Sequence, residues 1–267
     1  MPHEVYTHSH DQVVVDAHGR RTAEEAADFV RPYIRPQMRI LDAGCGPGSI
    51  TCGLARWVPD GEVVGIDAAA SVLEHGRSRA NTEGVDNVSF QLGDAYDLAF
   101  PDGSFDVVYA HQLLQHLGRP VDALGEFLRV LKPGGHVAVR DADYGTMTHH
   151  PVDARVVRLF EIYGQVARCN RGEPDAGRRL LSWVQAAGFS SPVYTTSSWQ
   201  FATQEGRTWW ADLWAGRTGV TKYVERVEEL GLSTAEELAE LGTGFQDWAT
   251  NPGGVFIFIN GEVVARA

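Results

Sequence analysis

Residues 39–50, RILDAGCGPGSI, join a glycine-rich turn to a carboxylate at its mouth. Gly44, Gly46 and Gly48 stand at G-x-G-x-G spacing, with Cys45 a small residue inside the loop. A strand-to-helix turn of this kind offers backbone N–H groups to a ligand at the helix N-terminus. The dinucleotide fingerprint G-x-G-x-x-G would need glycine at 49, where this chain has Ser49. Charge separates the ligands further. Asp42 would meet a docked pyrophosphate as a like charge, a repulsion on the order of a few kcal/mol at an effective dielectric of about 20. The same carboxylate favours a ligand with a cationic centre and no phosphate. Asp42 precedes the glycines and not the helix, which weighs against a role as a plain helix cap.

Further polar groups recur where apolar runs end. Asp67 and Ala68 close EVVGIDA, and a carboxylate there can accept both hydroxyls of a ribose. GDA, Gly93 to Ala95, follows VSFQL and places Asp94 where it can accept an adenine amino group or simply cap a turn. His111 and His116 flank QLLQ after FDVVYA, with Gln112 beside the first of them. RDADY holds Asp141, Asp143 and Tyr144, which either serve a substrate or solvate a strand end. Where an acceptor hydroxyl must lose a proton, His111 or Asp143 is the base within reach. His8 with His10 and His149 with His150 lack a placed carboxylate, so no metal site is expected.

These residues need strands to carry them. MRILDA, EVVGIDA, VSFQLGDA, FDVVYAHQ and HVAVRDADY read as strands, separated by helices of roughly 10 to 15 residues. That alternation predicts a doubly wound, mostly parallel sheet, with ligands beyond the carboxyl ends of its strands. Asp42, Asp67, Asp94, His111 and Asp141 then share one rim. Residues 21–35 read as a helix closed by Pro36, and Gly84 stops the helix ASVLEHGRSRANTEG. Later, PVDARVVRLFEIYGQVARC is amphipathic, PDAGRRLLSWVQAAGF is helical, and VYTTSSWQF is a sixth strand. Ser233 with Glu236 makes a capping box for a helix carrying Leu238, Leu241, Phe245 and Trp248. GVFIFINGEVVARA reads as a hairpin around its Asn-Gly pair.

Taken together, LDAGCGPG, VVGIDAAASVLEHG, GDAYDLAFPDGSFDVVYAHQLLQHL and RVLKPGG resemble the class I S-adenosylmethionine-dependent methyltransferases. In style they are similar to the small-molecule enzymes of ubiquinone and menaquinone biosynthesis, over about residues 36–145. The resemblance implies a seven-stranded Rossmann-like α/β sheet whose last strand is antiparallel. It implies S-adenosylmethionine as cofactor, a cationic sulfonium compound that suits Asp42. It places cofactor contacts at Asp42, Gly44, Cys45, Gly46, Gly48, Asp67, Ala68, Gly93, Asp94, Ala95, His111 and Gln112. Tyr6, in YTHSHDQ, joins them if that segment folds over the cofactor as a lid. The chain then divides into a lid and helix (1–35), the cofactor-binding core (36–145), helices and a strand completing it (146–203), a helical cap (204–250) and terminal strands (251–267). Trp209, Trp210, Trp214, Phe245 and Trp248 form either the core of that cap or the wall of an acceptor pocket.

Composition sets the partners. Lys plus Arg is 23 against 35 for Asp plus Glu, a net charge of -12 with no basic run, which argues against nucleic acid. No apolar window nears about 18 residues, so no membrane span is expected. MPHEVYTHSHDQ has neither a basic nor an apolar region of a secretory signal, and Cys45, Cys52 and Cys169 suggest no disulfide framework. A cytoplasmic enzyme with a small-molecule methyl acceptor is the expectation, and nothing in the sequence fixes its oligomeric state. Two rivals stand beside it. A nicotinamide-dependent oxidoreductase shares the sheet and Asp67 but accounts for neither Asp42 nor Ser49. A non-catalytic S-adenosylmethionine-binding regulatory protein keeps the motifs without turnover.

Overall fold

The computed structural model describes residues 19–219 and 222–267. Seven strands form one sheet in the order β3-β2-β1-β4-β5-β7-β6. They are β1 (Arg39–Ala43), β2 (Glu62–Asp67), β3 (Val88–Leu92), β4 (Phe105–His111), β5 (Leu131–His150), β6 (Ser190–Phe201) and β7 (Val255–Arg266). Strands β1 to β5 pair in parallel, and β7 runs antiparallel to both β5 and β6. The expected seven-stranded sheet with an antiparallel last strand is therefore present. The helices are α1 (Ala23–Ala26), α2 (Ser49–Trp57), α3 (Ala70–Glu83), α4 (Pro120–Val130), α5 (Ala154–Cys169), α6 (Leu180–Ala186), α7 (Gln204–Arg217), α8 (Lys222–Glu229) and α9 (Ala235–Ala249).

Strand alternation decides what each face buries. Val108, Val137, Val139 and Val263 pack with Leu124 and Phe127 of α4 and Leu180 and Val184 of α6. Burying side chains such as Leu124 and Phe127 fully is worth roughly 1.5–3 kcal/mol each. The opposite face carries Tyr109, Ala138 and Val264 against the helices of residues 23–83. Farther along the same face, Ala142, Phe256 and Phe258 meet an aromatic mass from α5, α7 and α9. Trp210, Trp214, Phe245 and Trp248 lie in that mass, each nearly inaccessible to solvent. No helix among the described residues is long and apolar enough to cross a membrane.

Several local expectations change. The segment 21–35 is not one helix: α1 ends at Ala26, and a 3-10 turn runs from Asp28 to Tyr33 around Pro32. Proline has no N–H to donate, and its ring collides with the carbonyl four residues back. The cap of α9 lies one residue later than Ser233, with Thr234 accepting from the Glu237 N–H at 3.1 Å. Pro174–Phe189 opens as a 3-10 turn, Ala176–Arg179, before α6 begins. RVLKPGG leaves its helix at Val130, and β5 runs on from Leu131 through Asp141 to His150.

The Asn-Gly pair makes no hairpin. Asn260 pairs with Ala142 on one side and Ser197 on the other, inside a continuous β7. Neighbours on both edges outweigh a local turn preference. Gly261 serves closeness instead: a Cβ there would stand 2.1 Å from the carbonyl oxygen of Gly177.

Candidate active site

The glycine turn is fastened to β2 before it reaches any ligand. The N–H groups of Gly44 and Cys45 donate to the Ile66 carbonyl at 2.8 and 2.9 Å. Gly44, Gly46 and Gly48 have φ of 73°, 52° and 76°, the left-handed region that glycine enters without penalty. Their surroundings differ. A Cβ on Gly48 would lie 2.7 Å from the Phe90 ring, whereas one on Gly46 would meet nothing within 4 Å. Gly48 is thus a packing requirement, and Gly46 turns bare backbone toward open space. The Cys45 sulfur faces the other way, 3.0 Å from where a Gly65 Cβ would be. Burial pushes its thiol well up, so Cys45 is a structural thiol.

Asp67 steadies the mouth of this loop. One carboxylate oxygen accepts the Gly46 N–H at 3.0 Å and the other the Ala69 N–H at 2.9 Å. Each oxygen keeps further acceptor capacity. Asp42 is only 2% exposed and accepts the Thr51 hydroxyl at 2.7 Å. Burial pushes its carboxyl up to about 7; the Thr51 bond opposes this and the nearby Asp67 charge adds to it. Gly93 donates to the Asp67 carbonyl at 3.1 Å, and exposed Asp94 closes a turn by accepting the Tyr96 N–H at 2.9 Å. Ala68 is exposed and Ala95 half-buried beside them. The ends of β2 and β3 are thus tied together through Asp67 and Gly93, and Asp42 lies close enough to feel the Asp67 charge.

His111 ends β4, and its carbonyl-side neighbour Gln112 bends away with φ of 51°. A non-glycine residue held there costs free energy, and such strain gathers at functional sites. Beneath His111 lies Arg140, with no exposed surface. Its Nε donates to Glu262 at 3.1 Å, its Nη2 to the Ser197 hydroxyl at 3.0 Å, and its Nη1 faces His111 Nδ1 at 3.4 Å. A guanidinium can only donate, so in this contact the His111 Nδ1 is the accepting atom. Sequence reasoning missed Arg140 and Glu262. The signal was a single charge in each of two otherwise apolar strand runs, VAVR and GEVVA.

Asp143 and His111 are not brought together. Arg140 is the register partner of His111, so odd-numbered Asp141 and Asp143 point to the opposite face of β5. Asp143 is clasped by Arg178 at 2.6 and 2.5 Å, so both of its oxygens are engaged in a two-point ion pair. Asp141, expected on the rim, is fully buried because β5 runs on beyond it, and burial pushes its carboxyl up to about 8. Tyr6, His8 and His10 lie outside the described residues.

Above Ala142 and Gln112 lies a small cavity of about 20 Å³. Trp199, Trp209, Trp210 and Phe258 wall it, with Tyr144, Leu213, Arg21 and Arg217. Trp199 links it to His111, ring centroids 6.1 Å apart. Among the aromatic residues of 204–250, Trp214, Phe245 and Trp248 fill the core, and Trp209 and Trp210 also line the cavity.

Comparison with known proteins agrees with this geometry. A family profile described as "Methyltransferase domain" matches residues 34–188. An uncharacterized methyltransferase of Schizosaccharomyces pombe is 32% identical over 98% of this chain and 96% of its own. A demethylmenaquinone methyltransferase of Symbiobacterium thermophilum is 40% identical, over 43% of this chain and 47% of its own. A Haemonchus contortus phosphoethanolamine N-methyltransferase, solved with S-adenosylhomocysteine, shares the fold at a TM-score of 0.56 and 17% identity, covering 89% of this chain and 51% of that one. A seven-stranded sheet, a glycine turn over a buried carboxylate and a full-length relative converge on one assignment: the chain belongs to the class I S-adenosylmethionine-dependent methyltransferases.

Proposed function

We propose that this chain binds S-adenosylmethionine across the carboxyl ends of β1 to β4 and methylates a small molecule held at the tryptophan-walled cavity. The observation carrying this reading is the trio Asp42, Gly46 and Asp67: a buried acid, a bare backbone facing open space, and a carboxylate steadied at the rim. Asp67 is suited to accept the ribose hydroxyls and Asp94 the adenine amino group. Gly46 lets the backbone approach closely, and Asp42 balances positive charge from below the loop. Pyrophosphate has no comparable fit, because the Asp67 carboxylate would repel it and Asp42 could face it only in its protonated form.

The cofactor, when bound, supplies a methyl group already activated on a sulfonium. The chain's own share is then alignment and exclusion of water. Gln112 and the aromatic wall orient the acceptor, and His111, its Nδ1 facing Arg140, is the imidazole at the end of β4 beside it. Cys45, Cys52 and Cys169 are free thiols, which supports a reducing cytoplasm as the enzyme's home. Calorimetric titration tests the cofactor assignment. S-adenosylhomocysteine should bind and raise the melting temperature by mass action, and NAD and NADP should do neither. Nucleotide binding without S-adenosylhomocysteine binding would overturn it.

A further inference from the structure

A row of polar side chains crosses four strands at a single level of the sheet. His111 in β4 is the register partner of Arg140 in β5, Arg140 of Glu262 in β7, and Glu262 of Thr195 in β6. On the same face Ala138 and Ala142 flank Arg140 along β5, and Val264 flanks Glu262 along β7, all of them buried. The row is tied together at its middle. Arg140 Nε donates to Glu262 at 3.1 Å and Nη2 to the Ser197 hydroxyl at 3.0 Å. Glu262 in turn accepts the Ser197 and Thr195 hydroxyls at 2.5 and 3.0 Å.

Two further contacts of Arg140 reach the site. Its Nη1 faces His111 Nδ1 at 3.4 Å, and its guanidinium lies 5.1 Å from the centroid of the Trp199 ring, which lines the cavity. A buried ion pair is weak support for a sheet. Two charges must leave water to form it, and apolar residues of similar volume often serve stability as well or better. Arg140 and Glu262 are both buried, so this pair bears that desolvation cost. What a guanidinium adds is direction: it donates along a rigid edge and stacks by its face, which no apolar side chain can do.

We propose that Arg140 is a positioning residue for methyl transfer: anchored by Glu262 and Ser197, it holds the His111 imidazole with Nδ1 as acceptor and stacks on Trp199, so that both rings keep one arrangement beside the methyl acceptor. This rests on the methyltransferase reading of the adjacent rim. Arg140 acts through His111 and Trp199 and is not itself a group that meets the reacting atoms. A neutral imidazole whose Nδ1 accepts carries its proton on Nε2, so the ring serves the site as a hydrogen-bond donor.

Nitrogen-15 spectra of the imidazoles separate this role from a merely structural one. The protein is labelled at histidine, His111 is identified by the signals that H111Q lacks, and spectra are taken at about pH 8.5, where an ordinary imidazole is neutral. In the parent protein His111 should give one tautomer, with Nδ1 bare and Nε2 protonated. Two variants then drive stability and tautomer in opposite directions. E262Q leaves Arg140 buried without its counter-charge, so the denaturant midpoint falls, yet the His111 signature stays. R140M/E262M removes both charges and regains most of that midpoint, but His111 shows the second tautomer, with Nδ1 protonated, alongside the first. R140M/E262Q, which keeps an amide oxygen for the Ser197 hydroxyl, stands in if R140M/E262M does not fold. A parent His111 protonated on Nδ1, a signature in R140M/E262M or its stand-in that matches the parent's, or a signature lost in E262Q along with the midpoint would overturn the proposal. Calorimetry of the parent protein with S-adenosylhomocysteine tests the rim separately: failure to bind would overturn the methyltransferase reading and leave the tautomer result unaffected.

Discussion

Replacing Asp42 by asparagine should make the ligand-free protein more stable above neutral pH and a worse binder of its cofactor. Burial raises the Asp42 carboxyl from 3.8 to about 7. That corresponds to about 4 kcal/mol against the ionised form in the native state, and relaxation of the site brings it to about 2 to 4 kcal/mol. The sign follows from which state holds the proton. Above 3.8 the unfolded chain releases it while the native protein keeps it, so native stability falls with rising pH until about 7 is passed. The amide introduced by D42N titrates in neither state. Denaturant unfolding of D42N and wild type at about pH 5 and about pH 8.5 should show the variant's advantage growing by about 2 kcal/mol between them. Comparing the two pH values cancels the constant cost of the new amide near Thr51. A cationic ligand reverses the preference, because it favours the carboxylate. Wild-type affinity for S-adenosylmethionine, whose sulfonium supplies the charge, should then fall by up to about tenfold per pH unit below about 7, with proton release on binding, while D42N binds weakly and with a flatter profile. Parallel stability curves, or a variant with wild-type affinity and pH profile, would refute the reasoning.

Asp67→Ala should weaken S-adenosylhomocysteine binding by about 10- to 150-fold, the loss of a charge-assisted acceptor, with a smaller change in melting temperature. Calorimetry and a thermal scan on the same preparation separate the two. Gly46→Ala and Gly48→Ala should part company: both incur the cost of a left-handed φ, about 1–2 kcal/mol, but only the Gly48 change also drives a methyl into Phe90. The Gly46 variant should therefore fold and bind poorly, and the Gly48 variant should lose much more stability; equal melting temperatures would contradict this. Glu262→Met leaves Arg140 as an uncompensated buried charge and should cost about 3–5 kcal/mol in denaturant unfolding, whereas a loss under about 1 kcal/mol would show the pair to be solvated.

Much of this architecture is legible in the residues themselves. The spacing of β1 to β4 follows from apolar runs broken by glycine-bearing helix ends, and Gly84 with φ of 63° and Gly188 with φ of 97° stand where the helices stop. Asp42, Asp67 and Asp94 are readable because each follows its own apolar run. What the sequence hides depends on distant partners. Asn260-Gly261 carries a strong turn preference, yet strands on both sides hold it straight. Asp143 looks like a rim carboxylate until Arg178, from the turn before α6, takes both of its oxygens. The cavity joins Arg21, from before α1, to Arg217, from the end of α7. No local pattern announces such a pair, since only the closed fold makes them neighbours.

The position of β7 has a consequence for the order of synthesis. It is translated after β6 but lies between β6 and β5, so β6 has no place in the sheet until β7 has emerged. Up to residue 254 a nascent chain carries β1 to β5 with the β5 edge uncovered, a detached β6, and a cap whose Trp210, Trp214 and Phe245 lack Phe256 and Phe258. Such a species exposes both a strand edge and aromatic surface, the two features that invite aggregation. A late insertion between two waiting strands also links residues far apart in the chain, which slows closure of the sheet. The cavity, walled partly by Phe258, therefore cannot close until β7 has been translated, well after the glycine turn and its carboxylates have emerged.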